Sequence, residues 1–310
     1  MLDPLTLDQL RILVAVAETG SFSAAARRLG RVQSAISQSV QSLESALGTT
    51  LFERDGKLPK LNDAGRVILD DARRLIGGAE ALKARAESIA ADVEPELMLA
   101  VDGIFPIEVL TASLKALSAT FPLLPVTLFT EGLGGAEQRL RDGQAKLGIC
   151  LPLPGLSADF ESEFLVSIAT VPVVASSHPL AAMPGPLSRA TLEDSVQLVL
   201  TDRTTLTAGI GGSVISRRIW RFADLSVRLD FLLAGFGWCN MPTHMVRAHI
   251  AAGRLKRLDL ADVRAPELPL HIVQQRGRRL GRAGRWLIED IRRRLPECVE
   301  HIAAQAAEVA

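Results

Sequence analysis

The sequence predicts an α/β multidomain chain: a small helical N-terminal module, one long connecting helix, and a larger α/β region in two lobes. Three observations carry this reading. Apolar residues repeat at threes and fours through residues 5–91, while from "LMLAVDG" onward short strand signals alternate with helical ones. Residues 64–91 hold one unbroken helical period whose weakest point is Gly77-Gly78. The chain has 310 residues, 48% of them hydrophobic, which is more than one ordinary domain needs. The expected boundaries are 1–63, 64–92 and 93–310, with lobe I at 95–167 and 268–298 and lobe II at 168–267.

The N-terminal elements follow in order. Leu7, Leu10, Leu13, Val14 and Ala17 share one helical face, with Thr6 as N-cap and Gly20 as the stop. Ser21 or Ser23 caps a short second helix ending at Gly30, and Ala24, Ala25 and Ala26 suit a close helix crossing. A third helix runs from about Gln33 to Leu47 and ends on Gly48. Its buried stripe is Ile36, Val40, Leu43 and Leu47, and its other face is nearly all Ser and Gln. Thr50 to Phe52 and Lys57 to Leu61 suit two strands around an Asp55-Gly56 turn. Together these make a winged helix-turn-helix. Asn62 or Asp63 then caps the long helix. That helix carries Val67, Ile68, Ala72, Leu75, Ile76, Ala79, Leu82, Ala86 and Ile89, an apolar stripe that predicts pairing in a homodimer.

The third helix raises the functional question. Formal net charge is zero, so no global attraction to nucleic acid is expected. Residues 20–62 nonetheless carry Arg27, Arg28, Arg31, Arg54, Lys57 and Lys60 against only Glu44, Glu53 and Asp55. Those cations flank the start of the third helix and the wing, where duplex phosphates lie when that helix enters the major groove. Gln33, Ser34, Ser37, Gln38 and Gln41 then face base edges and phosphates, since Gln pairs bidentately with adenine and Ser with any base.

The remaining composition excludes several classes. Cys150, Cys239 and Cys298 lie far apart with no CxxC, which argues against disulfides and structural zinc and for a reducing compartment. The N-terminus lacks a basic region followed by an apolar run, and no apolar stretch is long enough to span a bilayer. A cytoplasmic protein is expected. No GxSxG, HExxH or Walker loop is present, and His178, His244 and His249 have no shared ligand spacing. No enzyme activity, cofactor or metal is expected. Cys150 and Cys239 read as buried thiols, and "RGRRLGRAGRWLIEDIRRRL" as a solvated turn and helix.

The segment "LDQLRILVAVAETGSFSAAARRLGRVQSAISQSVQSLESALGTTLFERDGKLPKLNDAG" closely resembles the N-terminal domain of LysR-type transcriptional regulators. The resemblance rests on GSFSAAA, Gln33 with Ala35-Ile36-Ser37, Leu43-Glu44, Leu47-Gly48 and Leu51-Phe52-Glu53-Arg54, and the later regions follow in the family's order. It implies a dimeric, often tetrameric, regulator that reads promoter DNA. Its C-terminal domain is periplasmic-binding-protein-like and senses a small effector. It implies DNA contacts at Gln33, Ser34, Ser37 and Gln38 and a wing contact at Arg54; Ser23, Arg31, Gln41 and Lys57 complete the expected DNA-binding set. The family usually has proline where Ser34 stands, a cation where Gln38 stands and threonine where Asn62 stands, so operator choice is expected to differ here.

The expected effector residues sit in loops at strand ends: Asp102, Gly103, Ile104 and Phe105, then Glu131, Thr201 and Asp202, and the turn Gly235, Phe236 and Trp238. Family members commonly offer a hydroxyl to an effector carboxylate at the first loop, where this chain has Asp102. The effector is therefore expected not to be a simple carboxylate, or to present an amine or hydroxyl there. The alternative is that Asp102 caps the helix starting near Pro106.

Overall fold

The computed structural model describes residues 5–53, 59–153, 157–201, 203–207, 214–261 and 265–307, with side chains to 296 apart from 88 and 89. Arg54, Lys57, the Asp55-Gly56 turn and Asp202 lie outside the described residues. The chain divides into two compact units, Met1–Ala90 and Ala91–Ala310.

The first unit begins with α1 (Leu7–Thr19), whose start is closed by a capping box between Thr6 and Gln9 and whose end turns on Gly20 in the left-handed region. Helix α2 (Phe22–Leu29) is capped by Ser21 and stops at Gly30. Helix α3 (Gln33–Leu47) follows after two residues. Ala25 and Ala26 are buried where these helices meet, and Ile12, Leu13, Ile36 and Leu43 fill the core. Among the described residues, an antiparallel bridge between Phe52 and Leu61 forms the base of the wing. Glu44 accepts the Leu51 amide at 2.6 Å and the Phe52 amide at 3.3 Å, so this carboxylate orders the wing rather than opposing DNA.

Helix α4 (Asp63–Ala90) starts under Asn62, whose Oδ1 accepts the Gly65 amide at 2.7 Å. It packs on the core through Leu69 and Ala72. At 28 residues it is about 40 Å long. Val67 (63% exposed), Leu75 (52%) and Leu82 (70%) stand on its surface within this chain.

The second unit is built on β1 (Leu97–Asp102), α5 (Ile107–Thr120), β2 (Val126–Glu131), α6 (Gly135–Arg141), β3 (Leu147–Cys150) and β4 (Phe160–Ala175). Next come α7 (Pro179–Ala182), α8 (Arg189–Glu193), β5 (Val196–Leu200), β6 (Arg218–Phe222), α9 (Leu225–Leu233), β7 (Trp238–Pro242) and α10 (Thr243–Ala251). The unit ends with β8 (Leu255–Arg257), β9 (Glu267–Gln275) and α11 (Arg282–Ala307). The strand order is β2-β1-β3-β9-β4-β7-β5-β6, with β8 on β4.

The βαβ pattern yields two parallel sets, β2-β1-β3 in lobe I and β7-β5-β6 in lobe II. The long strand β4 joins them. Its Phe160–Ala169 stretch pairs antiparallel with β9, and Thr170–Val174 pairs antiparallel with β7. The sheet is therefore parallel within each lobe and mixed where β4 and β9 cross between them. Two side chains pin that crossing: Thr170 Oγ1 donates to the Pro266 carbonyl at 2.5 Å, and Thr243 Oγ1 to the Ala169 carbonyl at 3.1 Å. Glu94 receives the Ala283 and Gly284 amides, tying the start of α11 to the strand entering β1.

Candidate nucleic-acid face and ligand cleft

Helix α3 buries Ile36, Val40 and Leu43 and leaves Gln33, Ser34, Gln38 and Gln41 exposed, with Ser37 half-buried at the edge. Its first turn has no side-chain cap, because Val32 occupies the N-cap position. Free amides at a helix start attract anions. Ser23 donates to Gln33 Oε1 at 2.7 Å, which turns the Gln33 amide NH2 outward as a donor. Ser45 spends its hydroxyl on the Gln41 carbonyl of its own helix at 2.8 Å.

The cations are less free than their spacing in the sequence suggests. Arg31 is held by Asp8, with Nη1–Oδ2 at 2.6 Å and Nη2–Oδ1 at 2.8 Å. That guanidinium lowers the Asp8 carboxyl below its ordinary range. Arg28 pairs with Glu18 at 2.7 Å and Lys60 with Glu53 at 3.3 Å. The excess counted over residues 20–62 omits Asp8 and Glu18, which the fold of α1 brings onto those arginines.

In the second unit, Asp102 ends β1 and is 1% exposed. Its Oδ1 accepts the Ile104 amide at 3.1 Å, and Oδ2 has no hydrogen-bond partner. It does not cap α5, whose N-cap is Pro106 with no side-chain bond. Burial raises the Asp102 carboxyl to about 7, against the Ile104 and Leu133 amides, which favour the ionised form. Leu133 is held at φ 47°, in the left-handed region a non-glycine residue rarely adopts. Cys150 at the end of β3 is buried and its thiol is pushed up by burial, with Asp102 and Glu137 adding to the shift. Glu131, on the strand beside Asp102, accepts Arg139 Nε at 2.8 Å.

The two lobes meet at these strand ends. A side chain on Gly103 would lie 3.9 Å from Leu225 at the start of α9, and one on Gly132 would lie 3.4 Å from the Thr201 carbonyl and 3.6 Å from that of Ala223. Burial lowers the His244 imidazole in the first turn of α10, and Glu108 in the first turn of α5 partly opposes this. Asp102, Gly103, Glu131 and Thr201 thus share the lobe junction, while Ile104 and Phe105 are buried in the core.

The expected turn residues Gly235, Phe236 and Trp238 do not join them. Trp238 opens β7 opposite Val174, at the far end of lobe II from the crossing at Thr170. It is fully buried and donates its indole N–H to Ser216 at 3.1 Å. Gly235 lies against Ser177 and Ala175, and Phe236 joins an exposed aromatic group with Trp220 and Phe231. The turn precedes a strand, whereas ligands gather where parallel strands end.

A residue that spacing did not reveal sits on the lobe II side. Arg228, in the second turn of α9, is 6% exposed. One Nη donates to the Asn240 carbonyl and touches Met241 Sδ, and Nε has no partner. Among the described residues it makes no ion pair. Burial pushes the Cys239 thiol up, and the neighbouring Arg228 partly offsets this. Among the described residues, no helix is long and apolar enough to cross a membrane, and no cluster of metal-ligating groups is present.

Residues 7–66 match the family "Bacterial regulatory helix-turn-helix protein, lysR family", and residues 90–296 match "LysR substrate binding domain". Similar curated proteins include the probable HTH-type transcriptional regulator YhaJ of Escherichia coli, 31% identical over 93% of this chain and 96% of that protein. The HTH-type transcriptional regulator AceR of Acinetobacter baumannii is 32% identical over 92% and 96%. A mutant of OxyR from Corynebacterium glutamicum shares the fold with TM-score 0.64 and 23% identity, covering 98% of this chain and 97% of its own. A full-length OxyR variant from Pseudomonas aeruginosa gives TM-score 0.51 at 20% identity, covering 93% and 100%.

Proposed function

The chain belongs to the LysR family of bacterial regulators, a DNA-binding transcriptional regulator with an effector-binding domain, and from that premise we propose how its own residues divide the work. Helix α3 reads the operator through Gln33, Ser34, Gln38 and Gln41, with Ser37 at the edge, Ser23 orienting Gln33, and the wing residues Arg54 and Lys57 at the phosphates, while Arg31 stays paired with Asp8. The observation that carries this is the Ser23–Gln33 bond, which fixes a base-reading amide on an exposed helix with an uncapped start. Ser34 and Gln38 stand where the family usually has a proline and a cation, so this helix reads an operator of its own.

The small effector binds at the lobe junction between Asp102, Gly103, Glu131 and Thr201. Its binding changes how the two DNA-binding modules of a dimer are presented. The exposed stripe Val67, Leu75 and Leu82 on α4 supports a homodimer, and a tetramer would pair two such dimers. The protein works in the cytoplasm and catalyses no reaction.

The test is anisotropy titration of the full chain on duplexes from the intergenic region beside its gene, against scrambled duplexes of equal length. Preferential binding by at least ~10³-fold is the outcome expected for a specific regulator. Equal affinity for both would remove the reading.

A further inference from the structure

Asp102 and Arg228 stand on opposite sides of the lobe junction, and each is an ionisable side chain more than nine-tenths buried with an atom that bonds nothing. Buried charges ordinarily find a partner, because removing an ion from water costs several kcal/mol. Among the described residues six buried side-chain atoms lack a partner; Ser113 Oγ, Glu137 Oε2 and His249 Nδ1 lie within one lobe or the other, and the remaining three belong to Asp102, Arg228 and Asn240. Arg228 Nε holds a hydrogen with no acceptor, while Asp102 Oδ2 and Asn240 Oδ1 are oxygens with no donor. Asn240 belongs to β7, and its backbone carbonyl already holds the Arg228 guanidinium.

The topology sets these groups on the two sides of the lobe junction. β7 runs parallel to β5 and ends at the crossing, beside Thr170. The start of α9 touches Gly103, the residue after Asp102. Arg228, three residues on from Leu225, reaches the Asn240 carbonyl and Met241 Sδ of β7. The start of α10 lies immediately beyond β7 and has no side-chain cap, adding free amides on the same side. Lobe II therefore presents the positive pole and lobe I the negative one.

We propose that the effector is a small zwitterion of the amino-acid type, its carboxylate held by Arg228 and its ammonium by Asp102. This rests on the reading of the lobe junction as the effector site and names the ligand class. A carboxylate satisfies the guanidinium, and an ammonium, with three hydrogens, satisfies Asp102 Oδ2 and Asn240 Oδ1 together. Either pole alone leaves one buried charge unpaired. Both groups are buried, so the lobes part about β4 and β9 to admit the ligand and close once both charges are matched.

Calorimetric titration of the full chain tests this with the proteinogenic L-amino acids, succinate, benzoate and putrescine. For each amino acid that binds, its N-acetyl and amide derivatives are titrated in turn. The expected result is binding of a free amino acid and a loss of about tenfold or more for either derivative. In the D102N variant the penalty for N-acetylation disappears, and in R228M the penalty for amidation disappears. Unblocked and blocked forms binding equally, a simple acid or diamine binding in place of every amino acid, or no compound binding at all would each overturn the proposal. The derivative series is run on the unaltered chain, so it decides even if R228M fails to fold. Loss of the zwitterion proposal differs from loss of the effector site itself. A compound of another class that shifts DNA affinity, and loses that effect in G132W, keeps the site and discards the zwitterion. An amino acid that binds with both penalties but leaves DNA affinity unchanged keeps the zwitterion and discards the regulatory role.

Discussion

Arg31 and Asp8 form a two-pronged ion pair across the first unit, the cation at the approach to α3 and the carboxylate in the first turn of α1. A cation expected at the phosphate backbone is therefore already compensated. Replacing Asp8 by Asn frees it. Affinity should rise on all duplexes alike, and the slope of log K against log salt should steepen by about 0.9, the value for one further phosphate contact. Anisotropy titrations over a salt series measure this. An unchanged slope would mean that Arg31 leaves Asp8 whenever DNA is bound.

Gln33 and Ser23 give a different signature. Gln33→Ala should cost about 1–3 kcal/mol on a duplex selected from a random pool, and close to nothing on scrambled DNA. Ser23→Ala removes only the bond that orients the amide, so it should show a smaller loss of the same kind. Equal weakening on both duplexes would move Gln33 from base reading to backbone contact.

Much of this was legible in the sequence, because helix periods and caps are local. Thr6, Gly20, Gly30, Gly48 and Asn62 all act where their residue types put them. What was not legible is non-local. Asp8 meets Arg31 only after α1 folds over the helix-turn-helix, so a charge count over residues 20–62 misses it. β6 hides behind its arginines in "RIWRF", where the exposed edge strand shows no clean alternation. Arg228 looks like an ordinary helical cation; only its place on the buried face of α9, beside Leu225 and Leu232, gives it meaning. Trp238 and Gly235 attracted attention as a glycine-rich turn, but strand direction, which local pattern does not encode, puts them at the wrong end of lobe II.

Gly65 is required by packing. A Cβ there would sit 2.1 Å from the Leu51 carbonyl oxygen, a backbone atom that cannot swing aside. Gly65→Ala should destabilise the first unit by about 3 kcal/mol or more, in the range of severe core strain. Gly77, also on α4, meets nothing within 4 Å, so Gly77→Ala should stabilise by up to ~1 kcal/mol through helix propensity. Thermal and urea melts of the two variants should move in opposite directions.

Val67, Leu75 and Leu82 recur at about two-turn spacing on the exposed side of α4. If they form the dimer seam, Leu82→Glu brings two like charges together in an apolar stripe and should shift the chain toward its monomer mass of 33.3 kDa. Light scattering on a size-exclusion column reads the mass directly. DNA affinity for a two-half-site operator should fall with it. An unaltered mass would assign this stripe to another role.

Asp102 makes stability and ligand binding depend on pH in opposite senses. Its carboxyl is raised to about 7 in the fold and returns to about 3.9 when unfolded. A raised folded value means the native state binds the proton more tightly, so the contribution is fully present below the unfolded value and is lost as pH rises through about 7. The free chain should lose on the order of a few kcal/mol across that window, and Asp102→Asn should flatten the profile. At this carboxyl the Ile104 and Leu133 amides act against burial, and the buried Cys150 thiol lies within its field. An ammonium-bearing effector selects the ionised form, so its affinity should climb over the same window in which the free protein weakens. Calorimetry and melting curves recorded across that window, with and without the bound amino acid, separate the two trends. A melting profile that falls equally in Asp102→Asn would assign the pH dependence to a different group.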